Sequence, residues 1–349
     1  MRSLSKYAFL NALLRAKLSA RLSEGVLASL ARSADLPEAA GLLRDTEYRP
    51  VAAAIDEGAP LQKAEKILIE IEIDRHRAIL RHAKGGIADF VFALMELYDV
   101  VKVERIIRIW HEKAWDDRDG IIAEKICCDI PVEAMLKASS IEEIILLLED
   151  TPYRKPLVSA YEGYRRSGQL FSLEAALETD YYRRLWETVK GLDRADRAAA
   201  SRIIGTEVDI RNVEILLRLT RYTDFPTAEA RRVLLPGGYH LSDDLLLRAY
   251  SAKDTRAFID ALRFAPLPSS GSLKGAGEAL EQMRFLGALL EEALASEARR
   301  ALAGYPFTIG TVIAYLSLSR AESRRVRRIL VGKSLGLTAE RILRAASGA

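Results

Sequence analysis

The chain has 349 residues, 49% of them hydrophobic and 29% charged, enough for one large domain or several repeated units. Its 52 Lys and Arg stand against 49 Asp and Glu, a net charge of +3, which lacks the basic excess of a dedicated nucleic-acid binder. The two cysteines, Cys127 and Cys128, are adjacent. They offer neither a spaced disulfide framework nor a second pair for a zinc site, and a reducing compartment fits them best.

At the N-terminus, MRSLSKYAFLNALLRAK is not expected to act as a signal peptide, because Asn11 and Arg15 interrupt a short apolar stretch. Ile69, Glu70, Ile71, Glu72 and Ile73 alternate like a strand. Leu61, Ala64, Leu68, Ile71, Ala78 and Ile79 nevertheless keep helical spacing over a longer window without turn signals, so helix is the reading. Ser139 and Ser140 ahead of Glu142 and Glu143 form a capping start for a helix faced by Ile144, Leu147 and Leu148. A long helix is expected over 277–303, with Leu280, Met283, Leu286, Gly287, Leu290 and Leu294 on one face. Breaks are expected at Gly85–Gly86, Asp116–Gly120, Pro236–Gly238 and the Pro/Ser/Gly-rich stretch 266–277. The most membrane-like segment, Tyr305–Ser319, is too short to span a bilayer, which takes about 20 apolar residues. The fold class is therefore all-α.

Internal repetition carries more information than any single motif. Asp99, Val103, Glu104 and Arg108 recur as Asp209, Val213, Glu214 and Arg218, an offset of 110 residues. A third copy begins at Glu322, with Val326 matching Val103 and Val213 and with Ile329 and Leu330 matching the paired apolar residues of the other copies. A second element, Leu42–Tyr48 (LLRDTEY), resembles Leu147–Tyr153 (LLEDTPY), with a weaker version at Asp260–Phe264. The first copy lacks its beginning at the N-terminus and the last lacks its end at the C-terminus. Joined end to end, they would make one more unit. Three similar helical modules, circularly shifted and able to close into a ring, are one arrangement consistent with this spacing; an open solenoid is the other.

These residues carry a resemblance. Glu207–Val213 followed by Leu234–Gly238 is similar to the middle repeat of the C subunit of V-type and archaeal-type (A-type) ATPases, also called the d subunit. Gly310–Leu316 and then 322–333 resemble that family's closing segment, and the Asp-Thr-x-Tyr elements match its pattern. The first repeat departs from it: Lys102 stands where Asn is expected, and Cys127-Cys128-Asp129 replaces a Leu-Pro-Gly type of turn. The resemblance implies a funnel-shaped body of three helical-bundle repeats with approximate threefold pseudo-symmetry. The repeats would be about 1–98, completed by 311–349, then 99–208 and 209–310, all in a single helical body. It also implies a non-catalytic central-stalk rotor subunit on the cytoplasmic face of a membrane. Its partners would be the membrane rotor ring of c (proteolipid) subunits and the stalk subunits D and F, and it would transmit torque in proton or sodium transport.

No catalytic, metal or cofactor residues are expected. Gly332-Lys333-Ser334 ends like a phosphate loop, but Arg327 occupies the position of its first Gly and the preceding segment reads as helix. His76, His82, His111 and His240 have no metal-ligand spacing. Trp110, Trp115 and Trp186 read as core or bundle-interface residues, and the cysteines as inert. For Asp99, Asp209 and Glu322, helix-start charges favoured by the helix dipole are preferred over a partner-facing surface. The sharper candidate is the set Arg320, Arg324, Arg327 and Arg328. These share one helical face opposite Val326, Ile329 and Leu330 and are expected to point outward, suited to bidentate contact with carboxylate or phosphate. The competing readings are a solvated face, a helical-repeat scaffold binding protein or nucleic acid, and an enzyme of unrecognised type, which needs a pocket of convergent polar groups.

Overall fold

A computed structural model describes residues 2–220, 226–252, 254–262 and 279–347. Among them there is no strand, and helix dominates, as the spacing implied. The chain opens with α1 (Arg2–Ser19), α2 (Glu24–Arg32), α3 (Leu36–Gly41), α4 (Arg49–Asp56), α5 (Leu61–Leu80) and α6 (Gly86–Glu112). After a 3-10 turn (Trp115–Gly120) come α7 (Val132–Leu136), α8 (Ile141–Leu147), α9 (Arg154–Ser167), α10 (Phe171–Lys190) and α11 (Arg194–Leu219). Then follow α12 (Thr227–Val233), α13 (Asp243–Tyr250), α14 (Thr255–Leu262), α15 (Ala279–Ala303), α16 (Ile309–Ser334) and α17 (Ala339–Ser347). The stretch that alternates like a strand, Ile69–Ile73, lies inside α5. Stretch 266–277 and Phe264 lie outside the described residues.

One order of helices recurs along the chain. Short α2 and α3 precede long α5 and α6, α7 and α8 precede α10 and α11, and α13 and α14 precede α15 and α16. The second long helix of each pair has 27, 26 and 26 residues.

Local chemistry recurs with the order. Ser140 caps α8 by accepting from the N–H of Glu143, whose carboxylate accepts from the N–H of Ser139. Asp35 caps α3 by accepting from the N–H of Glu38, whose carboxylate accepts from the N–H of Ala34. Each is a reciprocal capping exchange that satisfies otherwise orphaned helix-end donors. The Asp-Thr-x-Tyr elements fold alike. In both, the Thr hydroxyl (Thr46, Thr151) donates to the carbonyl three residues back (Leu43, Leu148) and accepts from the Tyr N–H two residues on (Tyr48, Tyr153). Both tyrosines are buried, and an Arg lies over each ring, Arg75 on Tyr48 and Arg184 on Tyr153.

The chain divides into two compact units, one of residues 1–42 with 189–349 and one of 43–188. In the second, α5 packs on α4 and α6, and α6 on α7. Its core includes Ile73, Met95 and Tyr98 under Ile122 and Ile126 of the α6–α7 connection. In the first, α11, α15 and α16 pack mutually, and α1, α2, α3 and α17 all contact α16. The membrane-like stretch runs from an exposed Tyr305 into α16, where Ile309–Leu316 are all buried in protein, and no helix among the described residues is long and apolar enough to cross a membrane. In α15, Leu290 and Leu294 are buried, but Gly287, assigned to the same face, is exposed. Trp115 departs from its expected core role: it sits on the 3-10 turn and is 44% exposed.

If the two Asp-Thr-x-Tyr turns are equivalent, Thr46→Val and Thr151→Val should each cost about 1–2 kcal/mol, since each removes one donor and one acceptor from a part-buried turn. Urea denaturation measures both losses. A loss in one variant and none in the other would separate the two elements.

Candidate functional site

The three repeated acids are not helix-start charges, and they line no surface. Asp99 and Asp209 are 0% exposed and Glu322 is 2% exposed, each deep within α6, α11 or α16. A buried carboxylate is tolerated where donors surround it, and here backbone N–H groups from a distant loop supply them. Asp99 Oδ2 accepts from the N–H of Cys127 at 3.1 Å and of Cys128 at 2.7 Å, and from the Tyr153 hydroxyl at 3.2 Å. Asp209 accepts from the N–H groups of Tyr239, His240 and Leu241 at 3.1, 2.6 and 3.2 Å. Glu322 accepts from the N–H of Leu22 at 3.2 Å and pairs with Arg21 at 3.0 Å.

Three residues beyond each acid stands a second contact to the same segment. Asn212 exchanges two bonds with the backbone of Leu235, at 2.7 and 3.0 Å. Lys102, in the place of the expected Asn, is buried and donates to the carbonyls of Ala123 and Glu124 at 3.4 and 3.2 Å. Lysine has no acceptor, so it holds the loop by carbonyls alone. Arg325 makes a bidentate pair with Glu24, both bonds 2.6 Å. The Pro236-Gly237-Gly238 break follows from the same geometry. A Cβ on Gly238 would lie 2.4 Å from Asp209 Oδ1, and Gly237 has φ +90, so glycine is required where the loop closes on the acid.

Burial pushes Asp209 up to about 6, and the N–H bonds from His240, Leu241 and Tyr239 offset only part of that. Burial also raises Asp99, against the bonds from Cys128 and Cys127 and the charge of Lys102. The thiols of Cys127 and Cys128 are free, and burial, followed by the charge of Asp99, moves both up, away from the reactive thiolate. Their role in the clamp is through their N–H groups.

The arginine candidates divide. Arg324 and Arg327 are exposed on α16. Arg320 does not face outward: it is half-buried and donates to Glu207 of α11 at 2.8 Å. Arg328 forms a bidentate pair with Glu291 of α15 at 2.5 and 3.2 Å. Burial alone raises Glu291, but the bonds and charge of Arg328 outweigh it and hold the carboxyl below its usual range. Both pairs join neighbouring helices of one bundle, partners that the spacing along α16 does not reveal. Lys333 of the Gly-Lys-Ser run donates to the carbonyl of Ser33 within a helix, not a phosphate loop. Among the described residues no group of three His, Cys, Asp or Glu is arranged to hold a metal ion. Buried His76 bonds the carbonyl of Glu72 through Nδ1.

A family model described as ATP synthase (C/AC39) subunit matches residues 10–345, and the chain belongs to this family. Among its relatives are proteins named as the C subunit of an A-type ATP synthase. The one from Methanosphaera stadtmanae is 24% identical over 94% of this chain and 84% of its own length. The one from Halorubrum lacusprofundi is 27% identical over 79% and 80%, and the one from Methanocaldococcus jannaschii 23% identical over 97% and 86%.

Asp209 gives a pH test with a definite sign. Its folded-state value, about 6, lies above its ordinary 3.8. Its stabilising contribution is therefore complete below about pH 4 and is lost as pH rises through 6. Between pH 4 and 7 the wild type should lose roughly 2 kcal/mol relative to Asp209→Asn, which cannot titrate. Denaturation curves of both proteins across that range measure it, and parallel pH profiles would refute the assignment.

Proposed function

We propose that this chain is a non-catalytic central-stalk rotor subunit of a V/A-type rotary ATPase. It links the membrane rotor ring of proteolipid (c) subunits to the stalk subunits D and F and transmits torque in ATP-coupled proton or sodium transport, from the cytoplasmic face of the membrane. The observation that carries this reading is the family match over residues 10–345.

The architecture we propose is three helical-bundle modules about an approximate threefold axis in a funnel-shaped body: 1–98 completed by 311–349, then 99–208 and 209–310. The recurring helix order supports it, as do the three acid clamps. So does the bonding of N-terminal Leu22 and Glu24 to Glu322 and Arg325 of α16. A torque adaptor needs a body that does not yield, and densely packed helices transmit strain well. Clamps that fix each long helix to a distant loop add stiffness where loops are ordinarily loose.

Within this reading Arg324 and Arg327 are the docking residues, contacting acidic groups of a rotor partner. Arg320 and Arg328, tied to Glu207 and Glu291, brace the helix that presents them. Two experiments test the proposal. Titration of purified protein with ATP in a calorimeter should give no micromolar binding, and clear binding would contradict a non-catalytic role. Replacing Arg324 and Arg327 with Ser should weaken assembly with ring or stalk subunits, more at low salt than at high salt, since rim charges act through screened attraction. Helical circular dichroism should stay unchanged. Unaltered affinity for both partners at two ionic strengths would return these arginines to solvated charges.

A further inference from the structure

Residues between Trp110 and Ser139, with Tyr164, line an open cleft of about 730 Å3, within the size range of side-chain and small-ligand sites. Its wall is aromatic. Trp110 is fixed by its indole N–H, which donates to the carbonyl of Ala138 at 2.6 Å. Tyr164 of α9 faces it, and Trp115 stands half-exposed at the rim. Indole and phenol rings bury much area at little conformational cost, which is why they anchor interfaces.

The rim is cationic. Lys113, Lys137 and Arg118 line the cavity, with Glu133 the one carboxylate among the lining residues. Arg118 lies 3.9 Å from Asp119, so the two lysines carry most of the contrast. Asp116, Asp117 and Asp119 do not line the cavity. Lys113 has a left-handed backbone, φ +55, and is the only non-glycine among the described residues with positive φ. It caps α6 where glycine is the favoured residue, as Gly168 caps α9. Lysines at the ends of α6 and α7 also suit the helix dipoles. That role requires neither a strained lysine nor an exposed tryptophan, and strain kept in a fold points to use.

We propose that this cavity receives an acidic peptide segment of a partner protein. An aromatic or large apolar side chain enters between Trp110, Trp115 and Tyr164, and a flanking carboxylate meets Lys113 and Lys137.

The test uses the full chain and a fluorescein-labelled short peptide with a central Phe flanked by Glu and Asp, followed by fluorescence anisotropy. Saturable binding is expected, and a peptide with Lys in place of the acids should not bind. Trp115→Ala and Lys137→Glu should each weaken binding about tenfold or more. Lys113→Gly separates ligand binding from structure. It relieves the left-handed strain and should raise the melting temperature while lowering peptide affinity, whereas a purely structural lysine would leave affinity unchanged. Absence of saturable binding, equal binding of the Lys peptide, or affinity indifferent to all three substitutions would overturn the proposal.

Discussion

A carboxylate in the middle of a packed helix must be surrounded by donors or it destabilises the fold by several kcal/mol. Asp99, through Oδ2, and Asp209 and Glu322 answer this demand by drawing in backbone N–H groups of a segment distant in sequence. The rest of the local architecture depends on this. The loop has to come within bonding distance, so Gly238 is needed where a Cβ would strike Asp209. A second polar residue three positions on, Lys102, Asn212 or Arg325, then secures the same segment. For Glu322 the captured segment lies 300 residues away in sequence, so one clamp joins the two ends of the chain within a single compact unit.

The offset of 110 residues between Asp99 and Asp209 is readable because Asp, Val, Glu and Arg recur at the same spacing, and the third copy at Glu322 because an acid followed by Val326 repeats the pattern approximately. The purpose of the acids is not. An Asp on a charged helix reads as solvent-facing, and the donors that bury it belong to loops whose approach is a tertiary event. The same limit explains the arginines. Spacing along α16 puts four of them on one face, but Glu207 and Glu291 sit on other helices and withdraw two from solvent. Trp115 reads as core on residue type alone, whereas its place on a 3-10 turn leaves it half-exposed. Capping at Ser139–Glu143 and the helical reading of Ile69–Ile73 rest on local rules, and local rules suffice there. Lys102 and Cys127–Cys128 are visible as departures from the repeat. Only the geometry shows that they keep its function by other atoms, a lysine holding carbonyls and two cysteines acting through their N–H groups.

The clamps also bear on the proposed role. A subunit that passes torque without chemistry has no reaction centre to preserve, and what it must preserve is rigidity. Backbone hydrogen bonds to a buried carboxylate suit this, since an ionised acceptor strengthens each of them and their donors are fixed in the main chain. The buried acids thus belong to the frame, whereas Arg324 and Arg327 are exposed on α16.

Amide hydrogen exchange, resolved by residue, tests the clamp account most directly. The N–H groups of Leu22, Cys127, Cys128, Tyr239, His240 and Leu241 lie in loops, which ordinarily exchange fast. The account predicts that they exchange as slowly as the interiors of α6, α11 and α16, and that Asp99→Ala releases Cys127 and Cys128 while leaving Tyr239, His240 and Leu241 protected. Exchange of all six at the rate of open loops would contradict it.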